Sequence, residues 1–320
     1  MNVISASRRT DIPAFYSEWF MNRIRAGHVR WRNSRSGRVY TVSLQPEDVG
    51  AIVFRSKNCL PLLPHLDELD SRGYRTVFHF TITGLPRVFE PGVPDVSQLL
   101  VCARALSDRY GPERVMWRCD PVLISDITDA AYYRTRFREL ATGMEGVTNR
   151  CYFCYPIYHK SVLRNTSRLR HATGVECYDA PRAEQSEIAV MLADIAAEHG
   201  IQMLSCCGDY LVGGKIGKAH CIDAELLSRL FPEKIGLLAP HPIREECGCA
   251  ECTDIGAYDT CLHGCVYCYA NTSREAAIRN NKRHDPNWDM LMNYDGMCAT
   301  HDSARPRGDD SKSSTLELPL

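Results

Sequence analysis

Short apolar runs alternate with amphipathic stretches over the first three quarters of the chain, and this alternation limits the possible folds more than any other feature. Each run is bounded by polar residues or by glycine or proline, as buried parallel strands are. The stretches between them carry aliphatic side chains three or four positions apart, which is typical of helices that bury one face. Such alternation predicts βα units and a parallel sheet. The predicted core strands are residues 3–6, 51–54, 77–82, 115–117, 151–155 and 202–205.

Six such units bring the chain to about residue 231, which suits a parallel (β/α)6-type partial barrel over residues 1–235. A full eight-stranded barrel and a doubly wound sheet are the open alternatives. Residues 29–44, around a Ser-Gly turn, predict a hairpin before the second core strand. Residues 236–280 are rich in cysteine and lack periodicity, so we expect metal to hold them on the barrel. Residues 281–320 form a C-terminal extension, which we predict to be disordered from about residue 301.

Charge and hydropathy argue against several classes of function. The formal net charge is −1, so the chain as a whole lacks the electrostatic footprint of a protein that binds nucleic acid or an anionic membrane. No run of about 18 apolar residues occurs, so no membrane span is predicted. The first residues also lack the features of a secretory signal. Sixteen cysteines without export indicate a reducing, cytoplasmic location, where thiols bind metal rather than form disulfides.

Three cysteines near the C-terminal end have the spacing C-x3-C-x2-C, namely Cys261, Cys265 and Cys268, with Tyr267 just before the last. A structural zinc site normally has four protein ligands. Three thiolates on one short loop instead suit three corners of a [4Fe–4S] cluster, which leaves the fourth iron open to another ligand. Two alternatives stay open: a loop of a zinc site that is completed from elsewhere, and a set of free buried thiols.

This motif resembles that of the radical S-adenosylmethionine (SAM) enzymes. The resemblance implies that the open iron chelates the amino and carboxylate groups of SAM and that Tyr267 lies near the adenine. It further implies that SAM is cleaved to a 5′-deoxyadenosyl radical, with electrons supplied by a donor such as flavodoxin or ferredoxin. The position of the motif is unusual, because in that family the cluster loop follows the first strand. Here it follows the last predicted βα unit, so it must fold back over the carboxyl ends of the strands.

A second resemblance covers most of the chain. Residues 4–13 (ISASRRTDIP), 117–121 (WRCDP), 246–249 (ECGC) and 254–258 (DIGAY) are similar to the DUF1848 family. The resemblance implies a cysteine cluster of the radical SAM type at the C-terminal end of the domain, and it implies no substrate.

Charged and polar side chains directly follow the first, second and fourth predicted strands. In parallel α/β folds ligands bind at this edge, because the carboxyl ends of the strands meet there. Arginine and lysine could hold the carboxylate of SAM or of an anionic substrate. The alternative is a set of loop salt bridges. The predicted catalytic residues are Arg8, Arg9, Asp11, Lys57, Arg118 and Asp120, and the predicted cofactor-binding residues are Arg55, Asn58 and Tyr267.

Other cysteines suggest a second site. Cys206 and Cys221 follow the sixth strand, and Cys247 and Cys249 precede the main motif, so the four could form a four-thiolate site for a second iron–sulfur cluster or a zinc ion. Cys207 or Cys252 could replace one of them. The alternative is that these thiols are small buried apolar groups. Cys151 and Cys154, three apart on a strand, are predicted to be core residues that face opposite sides.

The sequence is therefore compatible with two functions. The first is a radical SAM enzyme that acts on an unknown small-molecule or macromolecular substrate. The second is a non-catalytic, metal-stabilised protein with a structural or nucleic-acid-binding role. Nucleic acid is not favoured, because its best candidate contact is an ordinary basic stretch with few aromatic residues. That stretch comprises Lys160, Arg164, Arg168, Arg170 and His171. An open coordination position indicates the enzyme, and four protein ligands at every metal indicate the scaffold.

Overall fold

A computed structural model describes residues 1–34, 36–242 and 244–293 of the chain. The stretch predicted to be disordered, from about residue 301, lies outside these residues. The strands of the described chain form an eight-stranded sheet and a separate hairpin. In chain order the strands are β1 (Asn2–Ala6), β2 (His28–Arg32), β3 (Val39–Ser43), β4 (Val49–Ser56), β5 (Thr76–Thr81), β6 (Val115–Cys119), β7 (Arg150–Phe153), β8 (Gln202–Ser205), β9 (Ile216–Lys218) and β10 (Thr253–Asp254).

The sheet has the order β10-β1-β4-β5-β6-β7-β8-β9, and all of its neighbouring strands pair in parallel. From β1 to β9 each strand of the sheet pairs with the next one along the chain, as successive βα units are expected to do. All six predicted core strands are confirmed, and the predicted hairpin is the antiparallel pair β2–β3. The sequence missed β9 and β10, which extend the sheet at its two edges. The chain therefore has an α/β fold with an eight-stranded parallel sheet.

Nine α-helices and two 3-10 helices are described. Four of the longer helices, α2, α4, α5 and α7, bury apolar stripes against one face of the sheet. That face includes Phe54, Phe78 and Trp117, which are fully buried. The α-helices are α1 (Ile12–Phe15), α2 (Ser17–Ala26), α3 (Leu66–Ser71), α4 (Val96–Tyr110), α5 (Ala130–Met144), α6 (Lys160–Thr173), α7 (Arg182–Glu198), α8 (Ala224–Leu230) and α9 (Arg274–Arg283), and the 3-10 helices are Leu60–His65 and Asp209–Leu211.

The opposite face of the sheet, which we call the α8 face, packs against α8 and the segment that follows it. Because side chains alternate along a strand, Val53, Val77 and Met116 point to this face while their neighbours point to the other. The core on this side is smaller, and it includes several cysteines. Two cores thus cover the two faces of one sheet.

The cysteine-rich segment is part of the sheet. Its strand β10 pairs with β1, and the Ile255 amide donates to the carbonyl of Ser5 at 3.1 Å. This pairing carries the C-terminal part of the chain to the end of β1, from where it runs into the C-x3-C-x2-C loop. None of the described helices is both long enough and apolar enough to cross a membrane.

Candidate functional site

The C-x3-C-x2-C loop lies at the carboxyl ends of β1, β4 and β5. His263 Nε2 is 2.7 Å from Oδ2 of Asp11, which follows β1, and His263 Nδ1 is 3.1 Å from the carbonyl oxygen of Gly92. The Val266 amide donates to the carbonyl of Phe89 at 3.0 Å. Phe89 and Gly92 belong to the loop after β5. The sequence predicted this edge of the sheet for the loop, and the structure places it there.

The three thiols of the loop lie close enough to one another to interact electrostatically. Burial raises the pKa of all three thiols, and neighbouring negative charge adds to this at Cys261. A metal bound here would hold these thiols as thiolates against the effect of burial.

A buried hydrogen-bond network adjoins Cys265 and is centred on Glu90. Its carboxylate accepts from Lys57 Nζ at 2.8 Å, from Thr83 Oγ1 at 2.9 Å and from the hydroxyl of Tyr267. Burial alone would lower the pKa of Lys57, but the charges of Glu90 and then Cys265 outweigh it and raise that pKa. The Lys57 ammonium also lies 5.6 Å from the centroid of the Tyr267 ring. The sequence analysis missed Glu90, because it stands in an irregular loop with no motif around it.

Asp11 and Asn58 have local structural partners. Asp11 accepts from the amide of Ala14, from Ser56 Oγ and from the amide of Lys57, at 3.0, 2.6 and 2.7 Å, in addition to His263. Its carboxylate therefore joins β1, β4 and the cysteine loop. Asn58 Oδ1 accepts from the amide of Leu60 at 3.1 Å, in the turn that leads into the 3-10 helix after β4.

Arg8 and Arg9 surround Asp254, at the end of β10. The buried Asp254 carboxylate accepts from Ser5 Oγ, Ser7 Oγ and the amide of Arg8, at 2.9, 2.7 and 2.8 Å. The Nε atoms of Arg8 and Arg9 both lie 3.9 Å from it. Asp254 thus ties β10 to β1. The sequence analysis included it in the DIGAY motif without assigning it a role.

Arg55, Arg118 and Asp120 lie on the α8 face, beside the second group of cysteines. Arg118 Nη1 donates to Cys221 Sγ at 3.1 Å, and its other terminal nitrogen pairs with Asp120. Asp120 also accepts from Cys154 Sγ at 2.6 Å. Arg55 interacts electrostatically with Cys221 and Arg118. Of the predicted strand-end residues, Asp11 and Lys57 therefore lie at the loop, and these three lie beside the second group, with the charge of Asp120 also acting on Lys57.

The second group is larger than predicted. Cys206 Sγ and Cys221 Sγ are 3.4 Å apart. Cys221 also interacts with Cys249, Cys249 with Cys247, and Cys207 with Cys247 and Cys206, and all five side chains pack in or against the core of the α8 face. These contacts form a closed ring of five thiols. Cys207 is an addition to the four residues that were predicted. The contacts join neighbouring thiols in pairs, and no described set of three or more His, Cys, Asp or Glu side chains already has the arrangement of a metal site.

The predicted division of Cys151 and Cys154 between the two faces is confirmed. Cys151 is fully buried in the core beneath α5 and α7, and Cys154 packs on the α8 face. Cys154 is half-buried against that core, and its thiol also donates to Asp120.

Two cavities flank the C-x3-C-x2-C loop. One, of about 400 Å³, lies between the loop after β5 and helix α5, and Glu90 is among its lining residues. The other, of about 220 Å³, lies between the β2–β3 hairpin and the C-terminal segment, where Arg9, Trp31 and Tyr258 line it. Neither is lined by a cysteine. The guanidinium of Arg9 lies 5.5 Å from the ring centroid of Tyr258.

Comparisons with known proteins give one family. The family model described as "Domain of unknown function (DUF1848)" matches residues 3–270. A search of curated proteins gave no match. A search of solved structures found a mutant of atrazine chlorohydrolase TrzN from Arthrobacter aurescens TC1 complexed with zinc and atraton, with a TM-score of 0.29 and 13% identity. That match covers 61% of this chain and 43% of the other, so this chain spans less than half of that enzyme.

Proposed function

The chain belongs to the DUF1848 family, and we propose that it is an enzyme of the radical SAM type. In this proposal Cys261, Cys265 and Cys268 hold a [4Fe–4S] cluster, SAM binds at the remaining iron, and the substrate is unknown. The parallel sheet would curve as a partial barrel around the site. A donor such as flavodoxin or ferredoxin would supply electrons in a reducing compartment.

One observation carries the proposal. A single loop supplies three thiols at the carboxyl ends of the strands, with the spacing C-x3-C-x2-C, and these thiols lie close enough together to interact electrostatically. His263 is the residue of this loop that could supply a nitrogen ligand, but both of its ring nitrogens lie within hydrogen-bonding distance of oxygen atoms. A three-thiolate set with an open position suits a cluster that binds a further ligand better than it suits a closed structural zinc site.

When bound, the cluster and SAM would supply the radical chemistry, a 5′-deoxyadenosyl radical that abstracts hydrogen from the substrate. The protein's own residues position and shield the site. Asp11 holds His263 and with it the loop, and Phe15 packs on the His263 ring with centroids 4.7 Å apart. Cys265 is almost completely buried, so water has little access to that side of the loop. Glu90 fixes Tyr267 and Lys57 beside it.

Arg8 is the cation best placed to bind the carboxylate of SAM. Its side chain is 24% exposed, against 13% for Lys57 and 10% for Arg118, which pair with Glu90 and Asp120. Its own pairing with Asp254 is longer, with Nε 3.9 Å from Oδ2, whereas Lys57 Nζ is 2.8 Å from Glu90 Oε1. The backbone carbonyl of Arg8 accepts from the hydroxyl of Tyr269, next to Cys268, at 2.7 Å. A guanidinium matches the two oxygens of a carboxylate.

Anaerobic reconstitution tests the proposal. The wild-type chain should bind about four iron and four sulfide atoms at this loop and, with a strong reductant, convert SAM to 5′-deoxyadenosine and methionine. The Cys261→Ala/Cys265→Ala/Cys268→Ala variant should lose those atoms and that activity, while Cys177→Ala, at a thiol remote from the loop, should keep both. An unchanged iron and sulfide content in the triple variant would contradict the cluster assignment. Zinc alone, with no uptake of iron, would favour the non-catalytic scaffold.

A further inference from the structure

We propose that the five-thiol ring of Cys206, Cys207, Cys221, Cys247 and Cys249 is a second metal centre, separate from the C-x3-C-x2-C loop. Four of the five thiols would ligate the metal, each losing its proton to solvent on binding. The expected occupant is a zinc ion. The convergence of these residues and the charges around them support this centre independently of the radical SAM proposal.

The ring brings together three separate parts of the chain. Cys206 and Cys207 follow β8, Cys221 precedes α8, and the other two lie in the segment before β10. Cys207 has a φ of +56°, a left-handed conformation that is uncommon for a residue other than glycine. Successive side chains of an extended strand point to opposite sides, so this turn of the backbone lets the Cys207 thiol join that of Cys206 in one ring.

Backbone hydrogen bonds fix the segment that carries Cys247 and Cys249. The His241 amide donates to the carbonyl of Cys249 at 2.8 Å, and the Ala250 amide donates to the carbonyl of Ile222, next to Cys221, at 2.9 Å. This segment contributes few apolar side chains to the core of the α8 face. A metal joining it to the ends of β8 and α8 would supply the stability that the small core lacks.

The arginine side chains around the ring favour a negatively charged group there. Arg244 Nε donates to Cys207 Sγ at 2.9 Å, and Arg118 Nη1 donates to Cys221 Sγ at 3.1 Å. Within the part of the chain that the structure describes, neither Arg244 nor Arg55 forms an ion pair with a carboxylate. Four thiolates outweigh the charge of a divalent ion, so a metal-loaded ring would be anionic and would neutralise these two guanidinium groups.

Two buried polar atoms on the same face have no hydrogen-bond partner among the described residues. They are Arg55 Nε on β4 and His79 Nδ1 on β5, which are neighbouring strands. Both Arg55 and His79 interact electrostatically with Cys221. Buried polar groups in folded proteins normally have hydrogen-bond partners, so these two atoms beside one group of thiols support a bound group that completes the site.

The distance between neighbouring sulfurs favours one metal ion. Sulfurs 2.3 Å from a zinc ion in a tetrahedral site lie roughly 3.8 Å apart, and Cys206 Sγ and Cys221 Sγ are 3.4 Å apart. These two sulfurs are thus already close to the spacing of two ligands of one zinc ion. Paired disulfides would leave one thiol over and would remove the negative charge that Arg244 and Arg55 require.

The test starts from the Cys261→Ala/Cys265→Ala/Cys268→Ala variant of the full chain, which removes the ligands of the loop. Purified from zinc-containing medium, this variant should hold about one zinc per chain. With cobalt as the metal probe it should show the absorption of a cobalt–thiolate site. Adding Cys206→Ala and Cys221→Ala should lower the metal content at least tenfold, whereas adding Cys177→Ala should leave it unchanged.

If the starting variant holds about four iron and four sulfide atoms instead of zinc, the ring is still a metal centre, but its occupant is an iron–sulfur cluster. The proposal is overturned if the starting variant takes up neither zinc nor iron, or if removing Cys206 and Cys221 leaves the metal content unchanged.

Alkylation of the wild-type thiols provides a measurement that needs no variant. Four of the five ring thiols should be protected until a chelator is added, and equal labelling with and without the chelator would overturn the proposal. Loss of SAM cleavage with retained ring metal would count only against the radical SAM proposal.

Discussion

His263 Nε2 lies 2.7 Å from Asp11 Oδ2, although the two residues are separated by 252 positions in the chain. Both side chains are almost completely buried. Asp11 stands just after β1, and His263 stands between the first two cysteines of the loop. The contact therefore brings a C-terminal loop to the end of the first strand, which is the place that the proposed radical SAM type of site requires. The unusual order of the motif in the sequence is thus compatible with the usual place at the sheet.

Replacing His263 by alanine should weaken this attachment. The change leaves the buried Asp11 carboxylate with one donor fewer, which should lower the free energy of unfolding by about 1.5–3 kcal/mol. The iron content after anaerobic reconstitution should fall as well, because the loop is no longer held over the strands. Denaturant unfolding and iron analysis measure the two effects. His171→Ala, at an exposed position on α6, is the control, and equal iron contents for the two variants would contradict a positioning role for His263.

Glu90→Gln should destabilise the chain more than the matching change at the surface. Glu90 is buried and accepts hydrogen bonds from Lys57, Thr83 and Tyr267. The loss of its charge therefore leaves the buried ammonium of Lys57 without its charged partner. We expect a loss of about 3–5 kcal/mol in the free energy of unfolding. Glu68→Gln removes a carboxylate that pairs with Arg25 at the surface, and it should cost at most about 1 kcal/mol. Similar unfolding midpoints for both variants would show that the Glu90 network is not a stabilising one.

Asp254 should make stability depend on pH in the acid range. Burial alone would raise the pKa of Asp254, but the charges of Arg9 and Arg8 and the hydrogen bonds from Arg8 and Ser7 outweigh it and hold that pKa below its ordinary value. The resulting stabilisation is complete above the pKa of the unfolded carboxyl, about 3.9, and is lost as the pH falls through the lower folded pKa.

The comparison for this prediction is between the wild type and Asp254→Asn, both free of metal, with unfolding free energies measured between pH 3 and pH 7. The difference between the two proteins should be constant above about pH 5 and should shrink below it. A difference that stays constant down to pH 3 would mean that Asp254 has the same pKa in the folded and unfolded chains.

The sequence predicted the part of the fold that depends on apolar runs. All six core strands and the hairpin carry enough apolar or β-branched residues to be recognised. It missed β9 and β10, which have three and two residues and no apolar run. Pairing with an existing sheet edge, rather than their own composition, makes these two segments strands.

The site was predicted less completely, for a geometric reason. Residues at strand ends share an edge of the sheet, but alternate positions face opposite sides, so Arg55 and Arg118 meet the ring of thiols on the α8 face. Cys207 was predicted only as a possible replacement for one of the four, since its place beside Cys206 depends on a left-handed backbone conformation that spacing does not show. Glu90 gives no signal in the sequence, because only the fold of an irregular loop brings it to Lys57.

Gly92 provides the most direct test of where the cysteine loop lies. A Cβ atom at this position would stand 2.8 Å from the carbonyl oxygen of His263 and 2.9 Å from that of Leu262, and backbone atoms cannot rotate away as a side chain can. Gly92→Ala should therefore push the loop off the strand ends, at a cost of about 1–3 kcal/mol in the free energy of unfolding, and should lower the iron bound on reconstitution. Gly236→Ala is the matched control, because a Cβ there meets nothing within 4 Å. Since the ring of thiols on the α8 face does not contact Gly92, its metal content should stay the same in both variants. If Gly92→Ala binds as much iron as Gly236→Ala and unfolds at the same denaturant concentration, the loop does not lie against the segment after β5.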